Sequence, residues 1–223
     1  EVVQDVVNEI FTNKNMLNLK ILDAGCRLGE YKRIFDVMGA QTIGIDFNKE
    51  CIDYCRKNYP IKHEEYIEGD ITNLDMFEDN YFDIVFCIGV APYLLKKDLV
   101  KTLKGFQRIL KQEGQIALMF FKKKSFIVMF ITQLISLFPQ TIYINFVAPI
   151  LERLLYPFAK SISKKKVPKE YFKYSVIISL QNINYGYPQF LENYKIKCPD
   201  SGYFSSKNSE MFIIHKKNPK IQE

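Results

Sequence analysis

Short apolar runs alternate with stretches of helical periodicity over the first half of the chain. The apolar runs have the length of buried strands, and they lie at 20–24, 42–45, 66–67, 82–88 and 115–121. Apolar positions three or four residues apart predict helices over 2–11, 31–38, 49–58 and 97–111, with Asn48 capping the third and Pro60 closing it. This alternation predicts parallel strands joined by right-handed crossovers, which is an α/β fold.

The end of the chain returns to a strand-like pattern. Residues 190–198 and 210–216 alternate between apolar and polar, so we predict two strands with a turn at 205–209. Pro168 is a candidate helix start, whereas residues 175–180 fit a helix or a strand equally well.

An apolar segment separates these two parts. Residues 125–151 contain no charged side chain, and Lys122–Lys124 precede them. The strongest apolar run, 126–138, is shorter than the roughly 20 residues that span a membrane, and Pro139 ends it. Helical spacing resumes from Tyr143 to Phe158, so we predict two amphipathic helices on either side of Pro139. Three interpretations stay open for this insertion: a cap over an acceptor pocket, a surface that docks on a membrane, or a dimer interface.

A glycine-bearing turn follows the first predicted strand. Gly25 and Gly29 lie between that strand and a helix, where glycine permits positive φ and a close approach of the backbone to a ligand. Asp46 ends the second strand, where a carboxylate can accept hydrogen bonds from both hydroxyls of a ribose. The sequence therefore predicts a site for a nucleotide-like cofactor at the carboxyl ends of the strands.

These landmarks resemble those of the class I S-adenosylmethionine-dependent methyltransferases. The family's acidic-x-Gly-x-Gly-x-Gly motif matches residues 23–29, with Arg27 in place of the middle glycine. The ribose-binding acid matches Asp46, and the adenine-contacting Asp matches Asp70. The fourth-strand motif matches residues 82–89, and the turn before the fifth strand matches 110–114. The resemblance covers about residues 19–121.

The resemblance implies a Rossmann-like, doubly wound, mostly parallel sheet of seven strands with an antiparallel edge hairpin and a helical insertion after the fifth strand. The cofactor would be S-adenosylmethionine. Its predicted contacts are Asp23, Gly25, Cys26, Arg27, Gly29, Asp46, Phe47, Asp70, Ile71, Cys87 and Ile88. Tyr31, Tyr93 and Tyr187 are the candidate acceptor contacts, and no residue is assigned as catalytic, since Tyr93 stands where many relatives carry a histidine.

The expected acceptor is a small molecule: a sugar, a natural product or a lipid-like compound. A catalytically silent cofactor-binding module of the same fold is the alternative. A nicotinamide-binding domain shares the strand, turn and helix, but its fingerprint requires Gly-x-Gly-x-x-Gly. Here the spacing is Gly-x-x-x-Gly with Arg27 inside it, which favours a cofactor without a pyrophosphate.

Composition adds modest constraints. The chain has 223 residues and a formal charge of +6, and its lysines are spread apart from two clusters, so a nucleic-acid partner is not favoured. Cys51 and Cys55 lack a complementary cysteine or histidine pair, so we predict no metal site and free thiols in a reducing cytoplasm. No signal peptide is recognised after Glu1. We predict one domain, 1–223, with a cofactor-binding core at 1–121, the insertion at 122–187 and edge strands at 188–223; the oligomeric state stays open.

Overall fold

The computed structural model describes residues 7, 10, 11, 14–59, 65–121, 137, 139, 142–162, 189–196 and 209–216. The chain forms two compact units. Glu1–Lys122 and Gly186–Glu223 form the first, and Lys123–Tyr185 form the second. The second unit occupies nearly the same residues as the predicted insertion.

A sheet with parallel and antiparallel strands forms the first unit. Its strands are β1 (Lys20–Ala24), β2 (Gln41–Asp46), β3 (Tyr66–Glu68), β4 (Phe82–Cys87), β5 (Leu110–Phe121), β6 (Lys195–Ile196) and β7 (Ser209–His215). The spatial order is β3-β2-β1-β4-β5-β7-β6. The strands β1 to β5 pair with one another in parallel. β7 pairs antiparallel with β5 and with the short β6. The predicted mostly parallel α/β sheet is confirmed.

Helices connect the parallel strands. They are α1 (Glu30–Val37), α2 (Lys49–Asn58) and α3 (Lys96–Ile109), and a short 3-10 turn, Ala91–Tyr93, follows β4. Asn48 caps α2 as predicted, because its side-chain oxygen accepts the N–H of Cys51 at 3.2 Å. The bounds of these three helices agree with the sequence prediction to within two residues, the usual spread at helix ends, whereas most of the helix predicted at 2–11 lies outside the described residues.

Apolar side chains fill both faces of the sheet. Successive residues of β4 point to opposite sides, so Val85 packs with Phe106 of α3 while Phe86 packs with Phe35 of α1. Phe11, from the partly described N-terminal segment, lies in the same cluster as Phe86. The result is a three-layer core in which one edge of the sheet, at the carboxyl ends of the strands, is left for a ligand.

Two predicted elements near the sheet edge are corrected. β5 begins at Leu110, because Leu110 pairs with Phe82 before the register shifts, so the turn expected at 110–114 lies inside the strand. The strand expected at 190–198 is a 3-10 turn, Gln189–Tyr194, followed by β6. Leu191 and Tyr194 are three residues apart and both pack on the core, a spacing that suits a 3-10 turn better than a strand.

A charged cluster joins three strands at their amino ends, opposite the carboxyl ends that face the predicted site. The carboxylate of Asp83, near the start of β4, accepts the backbone N–H of Lys20 at 2.9 Å. The ammonium of Lys111 donates to both oxygens of Asp83, at 2.9 and 2.8 Å. The ammonium of Lys20 lies 3.8 Å from the centroid of the Tyr81 ring. Asp83 therefore joins the starts of β1, β4 and β5 through three separate contacts.

The described part of the second unit is one helix. A π-helical turn, Tyr143–Val147, continues into α4 (Ala148–Ile162), so a helix is present where 143–158 was predicted. The other predicted elements of the insertion, at 126–138 and 168–180, lie outside the described residues. Across the described ranges, no helix combines the length and the apolar character that crossing a bilayer requires.

Candidate functional site

The turn after β1 contains residues with positive φ, and backbone hydrogen bonds join it to β2. Gly25, Arg27 and Gly29 have φ of +86°, +50° and +70°. The N–H groups of Gly25 and Cys26 both donate to the carbonyl oxygen of Ile45, at 2.8 and 3.0 Å. The N–H of Gly29 donates to the carbonyl oxygen of Cys26 at 2.7 Å, which closes the turn.

Asp46 joins this turn to the end of β2. One carboxylate oxygen accepts the backbone N–H of Arg27 at 2.9 Å, and the other accepts the N–H of Asn48 at 2.9 Å. A carboxylate offers about four acceptor positions. Each oxygen of Asp46 therefore retains capacity for one more donor, and the two together match a pair of adjacent hydroxyls.

Close packing under the turn requires small residues. A β-carbon on Gly29 would lie 2.7 Å from the hydroxyl oxygen of Tyr66, and one on Gly44 would lie 2.9 Å from the sulfur of Cys26. The thiol of Cys55 donates to the carbonyl oxygen of Arg27 at 3.3 Å. Burial raises the pKa of Cys55 to about 12 and also raises that of Cys26, so both thiols are neutral packing groups at physiological pH.

Asp23 lies beneath the turn. Its side chain is 2% exposed, and one oxygen accepts the backbone N–H of Lys32 in the first turn of α1, at 3.0 Å. Burial raises the pKa of Asp23 to about 7; the N–H of Lys32 opposes this rise, and the nearby charge of Asp46 adds to it. The placement favours a supporting role for Asp23 over the direct cofactor contact that the sequence predicted.

Lys32 is a buried lysine that the sequence analysis missed. Its ammonium lies 2.9 Å from Asp36 and 2.5 Å from Glu65, and 4.8 Å from the centroid of the Tyr66 ring. The Lys32 side chain is fully buried, so these groups replace its hydration. The spacing of Lys32 and Asp36, four residues apart on a helix, was the available signal, but burial of the pair cannot be read from spacing.

The end of β3 brings a second acidic side chain beside Asp46. The N–H of Gly69 donates to the backbone carbonyl oxygen of Asp46 at 2.9 Å. Asp70 follows at an exposed position, and one of its carboxylate oxygens accepts the N–H of Thr72 at 2.8 Å. The predicted convergence of the turns after β2 and β3 is therefore present.

Phe47 and Ile71 differ in their availability to a ligand. The side chain of Phe47, next to Asp46, is 80% exposed. Ile71 is 6% exposed and packs in the main core with Leu74 and Phe77. The predicted contacts of both residues with the cofactor stay predictions, and the exposed Phe47 ring offers an aromatic face on which a base can stack.

Arg108 of α3 fixes the loop that follows Asp70. Its guanidinium donates to the carbonyl oxygens of Leu74 and Phe77, at 2.7 and 2.9 Å, and to the carboxylate of Asp79 at 2.5 Å. Two of these three acceptors are backbone atoms, so the loop conformation itself is held in place.

The end of β4 supplies the remaining wall. Cys87 and Ile88 are buried, and burial raises the pKa of the Cys87 thiol to about 12. Gly89 has φ of +79°, and a β-carbon there would meet no atom within 4 Å. Val90 lies over the glycine turn, since a β-carbon on Gly25 would lie 2.2 Å from its Cγ2 atom. Val90 was not among the predicted residues; its position after a glycine with positive φ was the only signal.

The predicted acceptor contacts occupy the same edge or lie outside the description. Tyr31, in α1, has its ring centroid 4.8 Å from that of Phe86. Tyr93, in the 3-10 turn after β4, packs edge-on against Phe121 at the end of β5, at 6.1 Å. Tyr187 lies outside the described residues. Among the side chains that the structure describes, no group of three or more His, Cys, Asp or Glu residues could hold a metal ion.

Comparison with known proteins identifies the core. Residues 22–118 match a family model described as a methyltransferase domain. This stretch of the chain is therefore similar to a methyltransferase domain. The match decides between the methyltransferase and nicotinamide interpretations in favour of the methyltransferase, and the cofactor of the domain is S-adenosylmethionine, as predicted.

Two curated relatives align with less than half of the chain. Malonyl-acyl-carrier protein O-methyltransferase of Pectobacterium atrosepticum is 31% identical over 99 residues, 44% of this chain and 37% of that protein. Ubiquinone biosynthesis O-methyltransferase of Pelagibacter ubique is 26% identical over 104 residues, 46% of this chain and 42% of that protein. The chain thus spans less than half the length of these relatives.

One solved structure extends over most of the chain. A crystal structure of a Pyrococcus horikoshii protein aligns with 94% of this chain and 87% of that protein, with a TM-score of 0.51 and 20% identity. At this identity the likeness concerns the fold.

The residues of the methyltransferase domain fit its cofactor. Asp46 retains two acceptor positions for a ribose, Phe47 exposes an aromatic face beside it, and the space at Gly89 is open. Gly25 and Gly29 have positive φ and carry no side chain, so the backbone is accessible to a ligand at these two positions. The arrangement is suited to binding and orienting an adenosine-containing molecule at the carboxyl ends of β1 to β4.

Proposed function

We propose that the chain transfers a methyl group from S-adenosylmethionine to a small-molecule acceptor: a sugar, a natural product or a lipid-like compound. The observation that carries the proposal is the hydrogen bond between Asp46 and the turn after β1. The carboxylate is bonded to the N–H of Arg27 and retains its remaining acceptor positions toward the site.

In this proposal the ends of β2 and β3 hold adenosine. Asp46 accepts the two ribose hydroxyls, Phe47 stacks on the adenine ring, and Asp70 accepts from the exocyclic amine. Phe47 is exposed, and Asp70 is joined to the end of β2 through the bond from Gly69 to the Asp46 carbonyl, which supports this assignment.

The turn after β1 and the end of β4 hold the methionine part. Gly25 and Gly29 let the backbone approach the ligand, and the Val90 side chain lies beside Gly25. Gly89 opens a space in which the acceptor can approach the methyl group. We assign Arg27, Cys26, Cys87 and Ile88 to the surrounding wall and Asp23 to its support.

The chemistry needs little from the protein beyond placement. S-adenosylmethionine supplies a methyl group on a positively charged sulfur, which is already an activated leaving group. The chain's own residues must orient the acceptor and exclude water. A base is required only if the acceptor loses a proton during attack. Tyr31 and Tyr93 carry hydroxyl groups at this edge of the sheet and are our candidates for hydrogen bonding to the acceptor.

The apolar segment supports an apolar acceptor. Residues 125–151 contain no charged side chain, and we propose that 122–187 form a cap that encloses the acceptor. One relative is named for malonyl-acyl-carrier protein and another for ubiquinone biosynthesis, so acceptors differ among relatives of the core. A cytoplasmic location completes the proposal, and the free thiols of Cys26, Cys51, Cys55 and Cys87 support it.

Calorimetric titration with S-adenosylmethionine tests the assignment of Asp46. Asp46→Ala is expected to lose about 1.5–3 kcal/mol of binding free energy, the scale of hydrogen bonds to a charged group. Asp53→Ala is the matched control, because Asp53 is an exposed carboxylate of α2 that pairs with Lys49. Equal affinity of the Asp46 variant and the wild type would contradict the proposed site.

Transfer itself is tested with labelled S-adenosylmethionine and a panel of sugars, natural products and lipids. Deletion of residues 125–160 with a short linker is expected to abolish transfer while cofactor binding persists, since the cap residues belong to a separate unit. Transfer that survives the deletion would refute the cap. Tight cofactor binding without transfer to any cellular extract would favour the catalytically silent module.

A further inference from the structure

One face of the helix in the second unit exposes a row of large apolar side chains. Ile142, Phe146, Ile150 and Leu154 are 45%, 67%, 60% and 61% exposed. They are four residues apart, so their side chains lie one above the other along the helix. The row spans twelve residues of rise, or about 18 Å.

Other positions of the same helix are buried. Tyr143 and Ala148 are fully buried, and the only acidic side chain of the helix, Glu152, is buried with them. Single exposed apolar residues are ordinary on protein surfaces, whereas a contiguous row marks an interaction surface. The exposed surface of this helix thus carries four large apolar side chains beside the polar Asn145 and the basic Arg153, whereas its carboxylate is buried.

Basic residues precede and follow the row in the sequence. Residues 122–166 contain eight lysine and arginine residues and one acidic residue, Glu152. The formal charge of the whole chain is +6, so this segment accounts for all of its excess positive charge. Arg153 is exposed on α4, and Lys164–Lys166 follow the helix directly.

An apolar row flanked by basic side chains matches the surface of a membrane with anionic lipids. Helices of this kind lie in the interface plane, with the apolar face at the acyl boundary and lysines among the headgroups. A second copy of the chain fits poorly, because it would present the same positive charge and protein interfaces are depleted in lysine.

We propose that Ile142, Phe146, Ile150 and Leu154 dock the chain peripherally on a bilayer that contains anionic lipids. The inference rests on the helix surface and its charge, and it does not depend on the acceptor proposed above. The docked chain would then encounter a lipid-like acceptor at the bilayer surface.

The chain contains no tryptophan, so one introduced tryptophan reports its own surroundings. Phe146→Trp places the reporter in the row, and Tyr54→Trp places a control on exposed α2 of the core unit. With vesicles of phosphatidylcholine containing phosphatidylglycerol, the emission of the Phe146→Trp variant is expected to shift to shorter wavelength, and brominated acyl chains should quench it. Tyr54→Trp should show neither change. Identical responses of the two reporters would overturn the proposal.

Co-sedimentation with the same vesicles tests charge and apolar contact separately. Replacing Lys164–Lys166 with Gln is expected to lower the partition constant by up to about fivefold per lysine at low salt, and the loss should shrink at high salt. Lys57, Lys97 and Lys101, exposed on core helices, are the matched triple and should have little effect when replaced with Gln. Equal binding to vesicles of phosphatidylcholine alone would overturn the proposal.

The apolar row has its own control. Ile150→Ser with Leu154→Ser should lower binding at least tenfold, whereas Val37→Ser, at an exposed apolar position of α1, should not. All three positions are exposed, so folding is expected to survive, and circular dichroism checks it. Light scattering of the chain without vesicles addresses the second copy: a dimer that these two substitutions dissociate would overturn membrane docking.

Discussion

Val90 lies over Gly25, so that a β-carbon on Gly25 would be 2.2 Å from the Cγ2 atom of Val90. The wall after β4 and the turn after β1 are thus in direct contact through one valine side chain. The sequence analysis explained Gly25 by the close approach of the backbone to a ligand. The structure places a protein side chain there first, so substitution affects folding as well as binding.

Gly25→Ala is expected to destabilise the protein for two separable reasons. Alanine at φ of +86° costs about 1–2 kcal/mol, and overlap with Val90 adds to this. Adding Val90→Ala to this variant should remove the overlap and leave only the cost of alanine at positive φ. Denaturant unfolding of the two single variants and the double variant measures the coupling. Strict additivity would show that the two residues do not meet.

The assignment of adenine to Phe47 and Asp70 is tested with two ligands. Phe47→Ala should weaken S-adenosylmethionine and S-adenosylhomocysteine by about 1–3 kcal/mol each, the scale of base stacking on an aromatic ring. Asp70→Ala should also weaken the two ligands about equally, because they share adenosine. Val37→Ala, at another exposed apolar position, is the control. A loss confined to one ligand would place the contact near sulfur.

Ionisation of Asp23 should make stability depend on pH. Burial raises its pKa from about 4 in the unfolded chain to about 7 in the folded protein, so between these values the folded state binds more protons. Stability from this group is therefore fully present below about pH 4 and is lost as pH rises to about 7. Asp23→Asn keeps an oxygen for the N–H of Lys32 and removes the charge.

Denaturant unfolding at pH 4.5, 6 and 8 measures this difference. As pH rises, the free energy of unfolding of the Asn variant should increase relative to that of the wild type, by up to about 4 kcal/mol at pH 8. A constant difference between the two proteins across this range would mean that Asp23 ionises at the same pH in the folded and unfolded states.

Lys32 and Lys49 offer a matched pair of i, i+4 ion pairs with opposite burial. Lys32–Asp36 is buried on the lysine side, whereas Lys49–Asp53 is exposed on both. Lys32→Met leaves Asp36 and Glu65 without their cation and should cost about 2–3 kcal/mol of unfolding free energy, below the usual range for buried pairs because Glu65 is partly exposed. Lys49→Met should change stability little. Similar losses for the two variants would contradict the role of burial.

The sequence sufficed for the features that depend on local pattern. The strands ending at Ala24, Asp46 and Cys87 and the cap at Asn48 follow from apolar periodicity and turn chemistry. The positive φ at Gly25 and Gly29 was expected because glycine adopts this conformation without steric cost.

The remaining features depend on residues distant in the chain. The burial of Ile71 in one cluster with Leu74 and Phe77 depends on tertiary packing. The start of β5 at Leu110 is decided by its pairing with Phe82, 28 residues earlier in the sequence. Local periodicity carries no information on such pairings, which is why the start of β5 at Leu110 and the 3-10 turn at 189–194 were missed.

The charged cluster at Asp83 has a consequence for how such a chain can diversify. Asp83, Lys20 and Lys111 join three strands at the edge of the sheet where those strands begin. Substitutions at the other edge change which molecules are recognised and leave these bonds intact. The loops after β1 to β5 can therefore change in sequence without loosening the starts of the strands that carry them.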